Sequence, residues 1–233
     1  MPTTQKIQTH KHIEFMKPFF ILLGLSICVI SLSAQEAYQY NQFYYQRATL
    51  FEKLPIDSDD IVFLGNSITN GCEWHELFNN PNIKNRGISS DVSMGVYDRL
   101  DPIIKGKPAK IFLMIGINEM GTGTVESFMK AYGEAVQHLQ ELQPDAVIYL
   151  QAIMKVTTER SEQGDYITNE GIEARNAEIA KLADDRKIFF LDVNPLICDE
   201  TGGMVASYTY DGVHLKAQYI PIWLDFLKEH AVE

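Results

Sequence analysis

Two short stretches near opposite ends of the chain carry residue types capable of nucleophilic chemistry. The first reads Gly65-Asn66-Ser67-Ile68-Thr69. A Ser on a tight turn from strand to helix can hold its hydroxyl above a sheet, with the first N–H groups of the helix aimed at developing negative charge. The same Ser could be no more than a helix cap. The stretch is not a Gly-x-Ser-x-Gly elbow, because Thr69 stands where that motif has its second glycine. The second stretch reads Asp211-Gly212-Val213-His214. A hydroxyl nucleophile needs a base that works near neutral pH, which His supplies. The base in turn needs a carboxylate that fixes its tautomer and stabilises the imidazolium. An Asp three residues before the His can fold back to Nδ1 within one loop.

Attack on a carbonyl also needs donors where the oxyanion forms. Gly87, in Asn85-Arg86-Gly87-Ile88, could offer a backbone N–H with no Cβ in the way, and Asn118, in Gly116-Ile117-Asn118-Glu119, a side-chain amide. Each could equally be an ordinary turn residue. Of the histidines beyond residue 34, His138 falls inside a helical pattern and His230 near the C-terminus. His75 falls in the helix expected after Ser67, without a carboxylate in a matching loop, so His214 is the candidate base.

These residues need a scaffold that brings them together. Short apolar runs at 61–64, 111–115, 147–150 and 188–191, with a weaker one at 83–85, suit parallel strands buried on both faces. Helical spacing fills the gaps: Phe128, Met129, Tyr132, Val136, Leu139 and Leu142 share a face over 125–142. Weaker patterns cover 172–183, with Asn169 as the starting cap, and 220–227, where Trp223 is a core anchor. Strand–helix alternation predicts an α/β domain with helices on both sides of a mostly parallel sheet. Ligands of such sheets bind beyond the carboxyl ends of the strands, which is where Ser67, Gly87 and Asn118 fall. The aromatic-rich stretch 38–54 reads as a helix packing on the domain, or as an aromatic wall for a sugar or acyl ligand.

Ser67, Gly87, Asn118 and the Asp211/His214 pair, in that order along the chain, resemble the four ordered blocks of the SGNH/GDSL hydrolases. The resemblance spans roughly residues 60–225. It implies a flavodoxin-like three-layer α/β/α fold with about five strands, and ester hydrolysis through an acyl-enzyme with no metal and no cofactor. It implies Ser67 as nucleophile, His214 as base, Asp211 as its orienting acid, and an oxyanion hole made by Ser67, Gly87 and Asn118. Two positions depart from the usual blocks: Asn66 stands for Asp and Glu119 for Asp, neither being a catalytic group. Leu64–Thr69 together with Trp74-His75-Glu76-Leu77-Phe78 is similar to secreted bacterial carbohydrate esterases, sialate O-acetylesterases and platelet-activating-factor acetylhydrolase-like proteins. That points to a small acyl group, acetyl above all, on a carbohydrate. Lysophospholipase, thioesterase or arylesterase activity, or a non-catalytic carbohydrate-binding scaffold, are the alternatives.

The composition is compatible with this. The chain has 233 residues, 45% of them hydrophobic, and a formal charge of −11, a poor balance for a nucleic-acid binder. Residues 19–30 form an apolar run after Lys17, followed by Ser31, Ser33 and Ala34, the layout of a secretory signal peptide cleaved after residue 34. An uncleaved anchor is the alternative, and Met16 offers a second start. Removing residues 1–34 takes away three Lys and one Glu and moves the charge to about −13. Residues 35–59 then form an N-terminal helical extension and 60–233 the hydrolase domain of a periplasmic or extracellular protein. The oligomeric state and the pairing of Cys72 with Cys198 stay open. The acidic run Asp57, Asp59 and Asp60 is expected to be a solvated loop, and Gly121-Thr122-Gly123 a flexible edge of the site. Arg86 and Arg99 are read as structural ion pairs or as contacts to an anionic substrate.

Overall fold

The structure, a computed structural model, describes residues 39–231 apart from residue 165. The proposed leader therefore lies outside the described residues. Five parallel strands, β1 (Ile61–Gly65), β2 (Ile83–Gly87), β3 (Lys110–Met114), β4 (Val147–Gln151) and β5 (Ile188–Leu191), form one sheet in the order β2-β1-β3-β4-β5. This is the flavodoxin-like order, with a topological switch beside β1 where ligands characteristically bind. Among the described residues, no helix is long and apolar enough to cross a membrane.

Strand alternation sends neighbouring side chains to opposite faces, and both faces are buried. Val62, Leu64, Ile111, Leu113, Ile148 and Leu150 form one core with Tyr132, Val136 and Leu139 of the helix Val125–Leu142. On the other face Phe63, Phe112, Tyr149 and Phe189 occupy matched register positions on four adjacent strands. Their rings stack in succession, with centroids 4.7, 4.6 and 5.5 Å apart. Trp74 extends the row over Phe63 at 4.5 Å, and Trp223 meets Trp74 edge-on at 4.6 Å. Trp223 is the expected anchor of the terminal helix Ile220–His230, and its Nε1–H donates to Gln151 Oε1 at 2.9 Å.

The helix Asn169–Ala180 is capped by Thr168, not Asn169: Thr168 Oγ1 accepts the Gly171 N–H at 3.1 Å. His75 belongs to a separate short helix, Trp74–Leu77, and not to the one that opens with Ser67. The aromatic stretch does form a helix, Gln42–Phe51, which buries Tyr44 and Phe51 and leaves Phe43, Tyr45 and Leu50 exposed. In the acidic run, Asp60 is buried rather than solvated and pairs with Lys84 at 3.2 Å. Cys72 and Cys198 are both free thiols.

Candidate active site

Ser67 opens the short helix Ser67–Asn70 directly after β1. Buried Asn66 caps that helix, its Oδ1 accepting the Ile68 N–H at 3.0 Å. A carboxamide can fill this cap as a carboxylate would, which accounts for Asn at a position where the resembling proteins have Asp. A Cβ on Gly65 would lie 2.3 Å from Met114 O, and one on Gly87 would lie 2.4 Å from Asn70 N. Neither position admits a side chain: Gly65 faces the backbone of β3 and Gly87 the backbone of the Ser67–Asn70 helix.

Ser67 Oγ lies 2.8 Å from His214 Nε2, and His214 Nδ1 lies 2.7 Å from Asp211 Oδ2. The two stretches, 147 residues apart in the case of Ser67 and His214, thus meet as one hydrogen-bonded line. The second oxygen, Asp211 Oδ1, accepts the N–H groups of Val213 and His214, both at 2.9 Å, and the Thr209 hydroxyl at 3.1 Å. Partial burial pushes the Asp211 carboxyl up, but the His214 backbone N–H, its ring and the Val213 N–H outweigh that and hold it well below the usual carboxylate range.

The third block follows β3. Asn118 Nδ2 donates to Asp91 O at 2.9 Å. A side-chain amide has two hydrogens, so this bond fixes the carboxamide and leaves one for another acceptor. Next to it, Glu119 Oε2 accepts both the N–H and the hydroxyl of Ser93, at 2.8 and 2.7 Å, at the start of the helix Ser93–Asp98. Burial pushes this carboxyl up, and the two bonds from Ser93 oppose that. The extra methylene of Glu over Asp thus spans to a neighbouring helix start.

Gly87 does not fit the donor role expected of it. It is the last residue of β2, and its N–H donates to Asn85 Oδ1 at 2.8 Å. Two N–H groups in the loop after β2, those of Ser89 and Ser90, make no hydrogen bond among the described residues, and of these Ser90 is exposed and left-handed at φ 64°. Ser90 lies between Ser89, whose hydroxyl donates to Asn70 Oδ1 at 3.1 Å, and Asp91, which holds Asn118. The available sequence signal was positional: a strand residue spends its N–H locally, whereas a backbone donor aimed at a ligand belongs in the loop that follows.

Arg99 is buried, its Nε and Nη2 both 2.8 Å from Asp91 Oδ2. It also donates to Arg86 O at 2.7 Å and Gly65 O at 3.1 Å, tying the ends of β1 and β2 to the Asp91 loop. Arg86 is buried too, and burial brings its guanidinium down to about 10. Both are structural and do not face a substrate. With Arg47 they surround the Phe51 ring at 4.9 to 5.8 Å, so the N-terminal helix rests on this same assembly.

Beside Ser67 and His214 is a cavity of about 90 Å³, walled by Ile68, Cys72, Leu215, Ile220 and Trp223. Burial pushes the Cys72 thiol up to about 12, so it lines the cavity as a neutral apolar group. Shortly after Asn118 in the chain, Gly121 packs against Tyr166, which leaves no space for a Cβ there.

A doubly covered parallel sheet with a Ser, an Asn and a His–Asp pair at its carboxyl end defines an acyl-transfer class of hydrolase. Residues 63–218 match the GDSL-like Lipase/Acylhydrolase family, and the chain belongs to that family. Membership makes it a carboxylic ester hydrolase. Among solved structures it is similar to a Streptococcus pneumonia protein provisionally named a platelet activating factor (27% identity, TM-score 0.73, covering 81% of this chain and 92% of that one). It is also similar to a GDSL-like lipase from Bacteroides thetaiotaomicron (23%, TM-score 0.66, 80% and 95%). A third similar structure is a mutant of an acetyl-xylooligosaccharide esterase from Geobacillus Stearmophilus (18%, TM-score 0.60, 77% and 98%). No curated protein matches the chain.

Proposed function

We propose that the protein is an exported serine esterase that removes short acyl groups, acetyl foremost, from carbohydrates. The observation that carries this reading is the line Ser67 Oγ–His214 Nε2–Asp211 Oδ2, at 2.8 and 2.7 Å. His214 takes the Ser67 proton as Oγ bonds to the ester carbonyl carbon, and Asp211 stabilises the imidazolium. The carbonyl oxygen, now negative, is held by the Ser67 N–H and the second Asn118 amide hydrogen, with the Ser90 N–H in place of the Gly87 N–H. Collapse breaks the bond to the alcohol oxygen, which leaves with the His214 proton. Water then gives its proton to His214 and attacks the acyl-enzyme, releasing the acid and restoring Ser67.

The cavity beside Ser67 supports a short acyl chain. It measures about 90 Å³ and is walled mainly by apolar side chains. An acetyl methyl fits such a small apolar space. The acetyl-xylooligosaccharide esterase among the similar structures and the apolar leader pattern of residues 19–30 support an exported carbohydrate deacetylase.

The test is a series of p-nitrophenyl esters of increasing acyl length, with fluorophosphonate labelling of Ser67. We expect kcat/KM to be greatest for acetate and to collapse by six carbons. A preference for eight or more carbons would favour a lysophospholipase. Absence of both turnover and labelling would leave a non-catalytic carbohydrate-binding scaffold.

A further inference from the structure

Of the large apolar side chains in the described residues, one is far more exposed than the others. Tyr210 is 90% exposed, and Tyr166 follows at 56%. A single exposed aromatic is unremarkable by itself, but the placement of this one is specific. It directly precedes Asp211, and the loop that carries it also carries His214. An isolated antiparallel bridge between Thr209 and Leu215 closes that loop, and the Lys216 N–H donates to Tyr208 O at 2.8 Å.

The ring also has a cationic neighbour. Lys216 Nζ stands 4.3 Å from its centroid and is itself anchored by a 2.8 Å bond to Ser207 O. The ammonium occupies one face of the ring, so the other face is the one presented to solvent. Nearby, Tyr208 and Tyr219 stack at 4.0 Å and stiffen the base of the loop.

We propose that Tyr210 is a binding platform on which a neutral pyranose ring of the substrate lies while its ester reaches Ser67. The proposal rests on the esterase reading above and assigns the alcohol side of the ester. Sugar C–H groups carry partial positive charge and stack on the negative face of an aromatic ring. Lys216 has three N–H donors and spends one on Ser207, which leaves two for sugar hydroxyls beside the platform. The overall charge of −11 disfavours a polyanionic glycan and suits a neutral one. An alkyl alcohol offers no ring face to stack on a solvent-facing aromatic at this position.

The experiment compares an acetylated methyl xyloside with ethyl acetate, a ring-free ester of the same acid. For Tyr210→Ala, the ratio of kcat/KM on the xyloside to that on ethyl acetate should fall about five- to tenfold, the size of one lost stacking contact, and the fall should sit in KM. Tyr210→Trp and Tyr210→Phe should keep the wild-type ratio to within about twofold, because each retains the aromatic face. An unchanged ratio in Tyr210→Ala overturns the platform. So does an equal loss on both esters, which would mean that Tyr210 only shapes the Asp211 loop. Wild-type protein inactive on both esters sinks the esterase reading and the platform with it.

Discussion

The two halves of the site are built in opposite ways. The Ser67–Asn118 half stands on the ends of three strands, and its supports are buried and distant in sequence. Arg99 bonds Asp91, Arg86 O and Gly65 O, and Asp91 O in turn holds Asn118. The His214 half is a solvent-facing loop whose side chains are 45% and 54% exposed for His214 and Asp211. The bonds that hold Asp211 are local, from Thr209, Val213 and the His214 N–H, and from outside the loop the Thr157 N–H donates to Gly212 O at 2.9 Å. The first half is therefore coupled to the stability of the fold, while the second can lose its chemistry with the fold intact.

The largest effect should come from the exposed half with little structural cost. His214→Ala should lower kcat/KM by at least about a thousandfold, as loss of a triad member typically does. Its thermal midpoint should stay within a degree or two of wild type, since exposed substitutions seldom exceed about 0.5 kcal/mol. Activity assays alongside calorimetry decide this, and a variant that is both inactive and markedly less stable would break the contrast.

Asn118→Ala tests the buried half and should lose on both scales. Removal of one oxyanion donor should lower kcat about a hundred- to a thousandfold with a smaller change in KM. Loss of the bond to Asp91 O should also cost about 1 kcal/mol of stability. Arg99→Met goes further toward the structural end. It strands Asp91 in the interior, and breaking a buried pair in this way costs about 3 to 5 kcal/mol. Urea unfolding would measure that loss. Stability within about 1 kcal/mol of wild type would mean that the buried half is not braced as described.

Legibility in the sequence divides along the same line. The runs at 61–64, 147–150 and 188–191 match β1, β4 and β5 to within a residue, because strands buried on both faces are apolar throughout. The hydrogen-bonded line of Ser67, His214 and Asp211 was legible as a juxtaposition, because those residue types suit one another and three-residue spacing brings the last two together. The support of the buried half was not legible. Nothing local announces that Arg99 reaches three groups 8 to 34 residues away, or that Glu119 reaches back to Ser93. That the Gly87 N–H is spent on Asn85 was hidden for the same reason. The glycine is required by the close approach of Asn70, a steric need that looks identical in sequence to the need for a free N–H.

The smallest and sharpest test uses one carboxyl group from each half. Asp211 is held below the usual carboxylate range, so it is ionised throughout the working range. The acid limb of log kcat/KM against pH should then carry no contribution from Asp211 and have a slope of about one, where a slope near two would mean that Asp211 titrates as well. In stability the two groups should act with opposite signs. With its folded value depressed, Asp211 contributes stability above its unfolded value of about 4, and that contribution is lost as pH falls through the folded value. Glu119 is raised by burial, so between its unfolded value of about 4.3 and its higher folded value the unfolded chain releases its proton first. Rising pH through that window therefore costs stability. Urea unfolding across the acid to neutral range should show the advantage of wild type over Asp211→Asn shrinking as pH falls. The advantage of wild type over Glu119→Gln should instead shrink as pH rises. If both differences moved in the same direction, the two carboxyl groups would share one environment, and the division of the site into a buried half and an exposed half would fail.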